Sequence, residues 1–116
     1  MALKKVSAIF ETLRLEEVEE ALIQHGAKGF TVHKVRGRGA YFDSYNRDPL
    51  TPRTLLEVYT SEANAATIIR AICKAACLGH NHGGLVSVVP VEELYWINDE
   101  KCCEDSDFET GTGDGK

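Results

Sequence analysis

The order in which the hydrophobic period changes along the chain restricts the fold more than any other feature of the sequence. The segments with the composition of β-strands, the first of them alternating apolar and polar residues, are 5–11, 30–35, 55–60 and 85–91. Residues 15–26 and 61–79 instead space their apolar side chains three and four positions apart, as amphipathic helices do. The sequence therefore predicts the element order βαββαβ.

This order is typical of the ferredoxin-like α+β fold, in which two helices cover one face of an antiparallel sheet. Gly26 is expected to end the first helix, and Ser61 to cap the start of the second. Residues 40–53 show neither period and predict one long, mobile loop between the second and third strands, a length that usually indicates function. Residues 92–98 are expected to form a turn and a short C-terminal edge strand.

Several predicted strands carry apolar residues at both alternating positions. The positions that show this are Ile9, Val35, Leu56, Val58, Val86 and Val88. Two helices cover only one face of such a sheet, so the other face would leave apolar side chains in water. The simplest cover is another copy of the chain.

The net charge of −5 is unevenly distributed over the 116 residues. Residues 99–116 contain seven acidic residues and two lysines, lack hydrophobic periodicity, and predict an acidic, disordered tail after a folded domain at residues 1–98. No apolar run approaches the ~20 residues that span a bilayer, and no secretory segment is evident at the start. We therefore expect a cytoplasmic protein without a membrane span.

Cations are concentrated around the predicted loop. They are Lys34, Arg36, Arg38, Arg47 and Arg53, against only Asp43 and Asp48. This cluster favours a small anionic ligand or an acidic partner surface. The rest of the domain lacks the basic face that nucleic-acid binding requires, so no nucleic-acid partner is expected.

Several segments, taken in their order and spacing, resemble the PII signal-transduction superfamily. They are residues 29–32 leading into 35–39, then 52–53 with 56–58, then 74–76 with Gly79, and finally 89–92. The resemblance implies a homotrimer with adenine nucleotide bound in clefts between subunits. It also implies that the loop between the second and third strands is a T-loop that signals to a protein partner, whose identity the sequence does not reveal.

The chain departs from the family pattern at positions that bear on the ligand. The T-loop is shorter than in nitrogen-signalling PII proteins and lacks the tip whose tyrosine is uridylylated there. Leu85, Trp96 and Asn98 stand where the resemblance places a phosphate-binding lysine and two arginines. The resemblance with these losses implies ADP or AMP rather than ATP. A short T-loop with C-terminal cysteines resembles the carboxysome-associated PII-like group, which implies bicarbonate and a link to inorganic-carbon metabolism.

The expected site combines this resemblance with local chemistry. The nucleotide-binding positions are Thr31, Gly37, Arg38, Gly39, Arg53, Val58, His82, Gly83 and Gly84. The expected positions for bicarbonate or another anion are Arg36, Gly39, Tyr41 and Arg53. Glycines expose backbone N–H groups to an anion, and Arg53 offers a bidentate donor. Alternatively, the glycines only turn the chain and Arg53 is a solvated side chain.

Cysteines and histidines leave two further interpretations open. One pattern, C-x3-C-x2-H-x-H, is formed by Cys73, Cys77, His80 and His82. It would suit a CutA-like metal-binding trimer. The favoured interpretation is that Cys73 packs in the core and that no metal is bound. Cys102 and Cys103 are candidates for a redox-sensitive tail.

Catalysis and the C-terminal aromatic residues complete these predictions. No nucleophile–base pair is evident, so an enzyme is not expected, with a slow nucleotide hydrolase as the alternative. Tyr95 and Trp96 are read as edge packing or as a cover for an adenine ring, with packing favoured.

Overall fold

Four antiparallel strands form the sheet in this computed structural model, which describes residues 2–37, 51–77 and 84–108, with backbone alone at 51 and 52. The strands are β1 (Leu3–Phe10), β2 (Thr31–Gly37), β3 (Thr51–Ser61) and β4 (Gly84–Val91). The helices are α1 (Leu15–Gln24) and α2 (Glu62–Ala76). The strand order is β2-β3-β1-β4, so the predicted ferredoxin-like βαββαβ fold is confirmed.

The core lies between the helices and one face of the sheet. On β1, the alternating residues Val6, Ala8 and Phe10 are all buried, as the sequence predicts. Val58 and Leu56 of β3 lie directly opposite Val6 and Ala8. The helices supply further buried side chains, namely Val18 and Leu22 from α1 and Ile68 and Ile72 from α2. Burial of these apolar side chains is the main stabilising contribution to the fold.

The helix ends follow local chemistry. The hydroxyl of Ser61 accepts a hydrogen bond of 3.2 Å from the backbone N–H of Asn64, which confirms the predicted cap. Gly26 follows α1 with a φ of +84°, a left-handed conformation that favours glycine. The second helix ends at Ala76 rather than near Gly79, because Cys77 adopts an extended backbone conformation.

Strands β2 and β3 reach further into the predicted loop than their composition indicates. Gly37 does not end β2 early but pairs with Thr51, and Arg53 pairs with Val35. Arg53 is 5% exposed, so the expectation of a loop residue and the alternative of a solvated arginine are both wrong. Backbone pairing with β2 extends β3 through the polar stretch that lacks strand periodicity.

The sheet face opposite the helices, here called the outer face, keeps apolar side chains. Ile9 lies between Leu55 of β3 and Leu85 of β4, and Leu85 is 49% exposed. Val35 shares this face through its place in the register. The other four positions predicted to reveal two apolar faces lie on the helix side, because each lies opposite Val6 or Ala8 of β1. They are Leu56, Val58, Val86 and Val88.

A folded C-terminal segment, residues 94–108, corrects the predicted tail. Tyr95 forms an isolated antiparallel bridge with Cys102, and the Cys103 N–H donates a 2.7 Å hydrogen bond to the Leu94 carbonyl. A 3₁₀ helix follows at Asp105–Phe108. The expected disorder is therefore wrong for residues 99–108, while 109–116 lie outside the described residues. The sheet formed by the described residues has four strands and no C-terminal edge strand. The isolated bridge is found where that edge strand was expected.

No helix within residues 2–37, 51–77 and 84–108 is long and apolar enough to cross a membrane.

Candidate ligand site

A cavity of about 290 Å³ lies between the outer face and the C-terminal segment. Its floor includes Glu57 and Tyr59 of β3, which alternate with the core residues Leu56 and Val58 and so face away from the helices. The approach to β2 supplies residues 28–31 along one side. The C-terminal segment closes the opposite side, so the cavity exists because residues 94–108 fold back onto the sheet.

Aromatic side chains dominate the lining of this cavity. Trp96 stacks on Phe108 with ring centroids 5.8 Å apart and an angle of 10° between the planes. Phe30, Tyr59 and Tyr95 also line the space. Flat, polarisable walls of this kind are suited to a planar ring system with polar edges.

Polar groups border the aromatic walls. The carboxylate of Glu57 lies 3.4 Å from Lys5 Nζ and 3.7 Å from His33 Nε2, all on partly exposed side chains. The Tyr95 hydroxyl donates a 3.2 Å hydrogen bond to Glu93 Oε1, and this hydrogen bond with the nearby negative charge raises the pKa of Tyr95. Tyr95 is therefore a neutral hydrogen-bonding phenol at physiological pH.

The two C-terminal cysteines have different environments. Cys103 lines the cavity and is 3% exposed, whereas Cys102 is exposed. Burial, followed by the negative charge of Asp107, raises the pKa of the Cys103 thiol. Cys103 therefore remains a neutral thiol in the cavity wall, and the redox role of the pair stays a prediction.

The structure brings one predicted nucleotide-binding residue, Thr31, into this cavity. Gly37 lies six residues further along β2, about 20 Å away in an extended strand. The Val58 side chain is in the core, so any nucleotide contact at this expected position would involve its backbone, and the expected contact stays a prediction. The expected positions Arg38, Gly39, Tyr41, His82 and Gly83 lie outside the described residues.

Arg36 and Arg53 were expected to share one anion site. Arg36 pairs with Pro52, one register position beyond the Val35–Arg53 pair. Alternation along neighbouring strands therefore directs their side chains to opposite faces of the sheet. The structure does not bring the two guanidinium groups together, and Arg53 alone shares the face that holds the cavity.

Gly84 has a steric reason to be glycine. Its φ is +139°, and a Cβ at this position would overlap the backbone carbonyl of Ile9. The close approach of β4 to β1 thus explains the residue, whether or not its N–H also contacts a phosphate.

Cys73 and Cys77 are both exposed, so the interpretation of Cys73 as core material is wrong. Among the described residues, no cluster of three or more His, Cys, Asp or Glu side chains could hold a metal ion. His80 and His82 of the predicted C-x3-C-x2-H-x-H pattern lie outside those residues.

Reasoning from the sequence missed several residues of the cavity. They are Lys28, Phe30, Glu57, Tyr59 and Phe108. Phe108 offered a usable signal, because an aromatic residue in an otherwise acidic segment favours folding back onto the domain. Glu57 and Tyr59 could be assigned to the outer face from strand alternation, but their proximity to the C-terminal segment depends on tertiary structure.

The comparison with family models decides the relationship. The model described as Nitrogen regulatory protein P-II matches residues 3–101. This chain belongs to the PII family. It is 33% identical over 102 residues to Nitrogen regulatory protein P-II 2 of Methanothermobacter thermautotrophicus, covering 82% of this PII chain and 89% of that protein. The P-II protein of Azospirillum brasilense has the same identity over 102 residues, with coverage of 82% and 91%.

Solved structures support the same assignment of the fold. This PII protein matches the crystal structure of Arabidopsis thaliana PII bound to citrate with a TM-score of 0.77 and 26% identity. The match covers 89% of this chain and 90% of the Arabidopsis chain. Members of the PII family are regulatory signal transducers, and this PII protein is accordingly a PII-like regulatory protein.

Proposed function

We propose that this PII protein is a homotrimer that binds an adenine nucleotide and signals to a protein partner through its T-loop, the segment between β2 and β3. The observation that carries the proposal is the aromatic cavity beside Thr31. Stacking on an aromatic side chain contributes roughly 1–3 kcal/mol per base. The cavity therefore offers a surface on which a base can stack. The resemblance to the PII family is the reason for proposing an adenine nucleotide as the ligand.

The position of the phosphates follows from the direction of β2. A nucleotide whose base occupies the cavity can extend along this strand from Thr31 towards Gly37 and the root of the T-loop. Arg53, opposite Val35, is a cation on the same face between Thr31 and the root of the T-loop, and Lys5 shares that face opposite Tyr59. We include Arg38, Gly39, His82 and Gly83 as further contacts, on the strength of the resemblance and of their chemistry.

A preference for ADP or AMP over ATP follows from missing positive charge. Leu85 is an apolar side chain on the outer face, and Trp96 is stacked on Phe108. Neither offers the charge that the resemblance places at these positions, and Asn98 also lacks one. A hydrogen bond to a charged group contributes about 1.5–3 kcal/mol. The loss of these charges therefore weakens the binding of a triphosphate more than the binding of a shorter phosphate chain.

The proposal includes bicarbonate as a second ligand and a partner in inorganic-carbon metabolism. Its support is the resemblance to PII-like proteins with a short T-loop and the cations at the root of this loop. Of Arg36 and Arg53, the latter is the better candidate because it shares the face of the cavity. Gly39 and Tyr41 complete the proposed anion site.

Calorimetric titration with ATP, ADP and AMP, each with and without bicarbonate, tests the proposal. We expect ADP or AMP to bind more tightly than ATP, and bicarbonate to change the affinity for the preferred nucleotide. Tightest binding of ATP would contradict the preference, and absence of binding by all three nucleotides would contradict the function.

A matched pair of variants locates the base. Trp96→Ala removes a stacking surface and should weaken ADP or AMP binding about tenfold. Its neighbour Ile97 is 93% exposed and does not line the cavity, so Ile97→Ala should bind as the wild type does. Equal losses in the two variants would indicate a disturbed turn rather than a lost base contact.

A further inference from the structure

A second cavity lies on the helix side of the sheet, apart from the aromatic cavity, and its lining includes Gly84, one of the expected nucleotide-binding positions. It has a volume of about 220 Å³ and lies between the end of α2 and the junction of β1 with β4. Cys73 and Cys77 both line it. The remaining lining is apolar, with Phe10, Ile72, Leu85 and Val86 among its side chains.

The two cysteines are placed to act on one bound atom. Residues four apart on a helix have Cβ atoms about 5–6 Å from each other on the same face. Cys73 lies in the last turns of α2, and Cys77 immediately follows its last residue. Both are exposed, and no disulfide joins them. A disulfide requires Cβ atoms roughly 3.5–4.5 Å apart, so a bridging ion suits this spacing better than a direct S–S bond.

The donor set selects the kind of ion. Thiolate sulfur binds soft metals, whereas Mg²⁺ and Ca²⁺ require oxygen ligands. Structural zinc sites are four-coordinate, and the part of the chain that the structure describes supplies no third His, Cys, Asp or Glu to form a cluster here. Two sulfur ligands in an apolar pocket suit a soft monovalent ion that accepts low coordination, namely Cu(I).

We propose that Cys73 and Cys77 form a two-thiolate site for Cu(I). Each thiol loses its proton when its sulfur binds, so uptake of one Cu(I) by two thiols releases two protons and changes no oxidation state. The other side chains that line the cavity are apolar and offer no oxygen ligand to compete with the two sulfurs. This inference is independent of the proposed nucleotide function.

An anaerobic competition experiment tests the site. Wild-type protein is titrated against Cu(I) held by a chromophoric chelator, beside the variants Cys73→Ser, Cys77→Ser and Cys102→Ser. The wild type should withdraw one Cu(I) per chain, and loss of either Cys73 or Cys77 should weaken binding at least tenfold. Cys102 is an exposed thiol outside the cavity, so Cys102→Ser should compete like the wild type. Equal competition by all four proteins would overturn the proposal.

Two measurements on the wild type do not depend on how the variants fold. Bound Cu(I) should protect Cys73 and Cys77, but not Cys102, from alkylation, as read by peptide mass spectrometry. X-ray absorption should show sulfur as the sole ligand type. Alkylation of Cys73 and Cys77 at an unchanged rate, or nitrogen ligands in the absorption spectrum, would overturn the two-thiolate site.

Discussion

Gly84 begins β4 at a point where the backbones of two strands leave no room for a side chain. Gly84→Ala should lower the free energy of unfolding by about 2 kcal/mol or more, because the left-handed φ and the approach of the Ile9 carbonyl both oppose a Cβ. Chemical denaturation measures the change. Ser87→Ala, at an exposed position of the same strand, is the control and should stay close to the wild type.

Arg53 is a residue whose charge and geometry are both part of the proposed anion site. Arg53→Ala should weaken ADP or AMP binding about tenfold or more, since a charged hydrogen bond contributes about 1.5–3 kcal/mol. Because Arg53 is buried, Arg53→Lys is the second variant, which retains the charge but not the bidentate geometry. Calorimetry should rank the affinities wild type, Lys, Ala. Unchanged affinity in a folded Ala variant would exclude a direct contact.

The buried thiol of Cys103 links stability to pH. Its pKa is raised above the ordinary 9.0, so the unfolded chain loses this proton at a lower pH than the folded protein does. The stabilising contribution is complete below that ordinary value and is lost as the pH rises through the higher folded-state pKa. Urea titrations between pH 7 and 10.5 should show the free energy of unfolding falling more steeply above pH 9 in the wild type than in Cys103→Ala. Cys102→Ala should retain the steeper fall.

At the level of elements, the C-terminal segment is a part of the domain. Deleting residues 104–116 removes Phe108 and its stacking on Trp96, and should lower the melting temperature by several degrees. Deleting only 109–116 keeps the 3₁₀ helix Asp105–Phe108 and should leave the melting temperature nearly unchanged. Equal effects of the two deletions would show that Phe108 contributes nothing to stability.

The same elements show which structural features local sequence patterns can predict. Alternation in β1, the helical spacing of Val18 and Leu22, and the capping hydroxyl of Ser61 all act over a few residues, and these features were predictable. Arg53 was misplaced because strand pairing extends β3 beyond its apolar part. The composition of the acidic C-terminal residues predicts disorder for Cys103 and Phe108, whereas Cys103 is buried and Phe108 stacks on Trp96 in the folded segment.

The cavity itself was not predictable in this way. Thr31, Tyr59 and Trp96 lie far apart in sequence and meet only once the C-terminal segment has crossed the sheet. The resemblance identified Thr31, whereas no local period indicates that Tyr59 and Phe108 are near it. Binding residues that converge from separate elements require the topology before their chemistry can be recognised.

At the scale of the whole molecule, the outer face bears on assembly. Ile9, Leu55 and Leu85 form a row of apolar side chains across three strands, which the proposed homotrimer would cover. Leu85→Glu should therefore shift the protein towards monomer in light scattering, because a carboxylate would be buried at the interface. Leu13→Glu is the matched control at an 82% exposed position before α1 and should leave the mass unchanged. A wild type that is monomeric at all concentrations would contradict the trimer.

The stacking of Trp96 on Phe108 also gives the molecule an intrinsic optical probe. Trp96 is the single tryptophan of the chain, and it lies in the wall of the cavity. Its indole emission therefore reports on one place alone, without a label. A planar ligand that enters the cavity should quench or shift this emission in proportion to occupancy, whereas an ion bound near Cys73 on the helix side of the sheet should leave it unchanged.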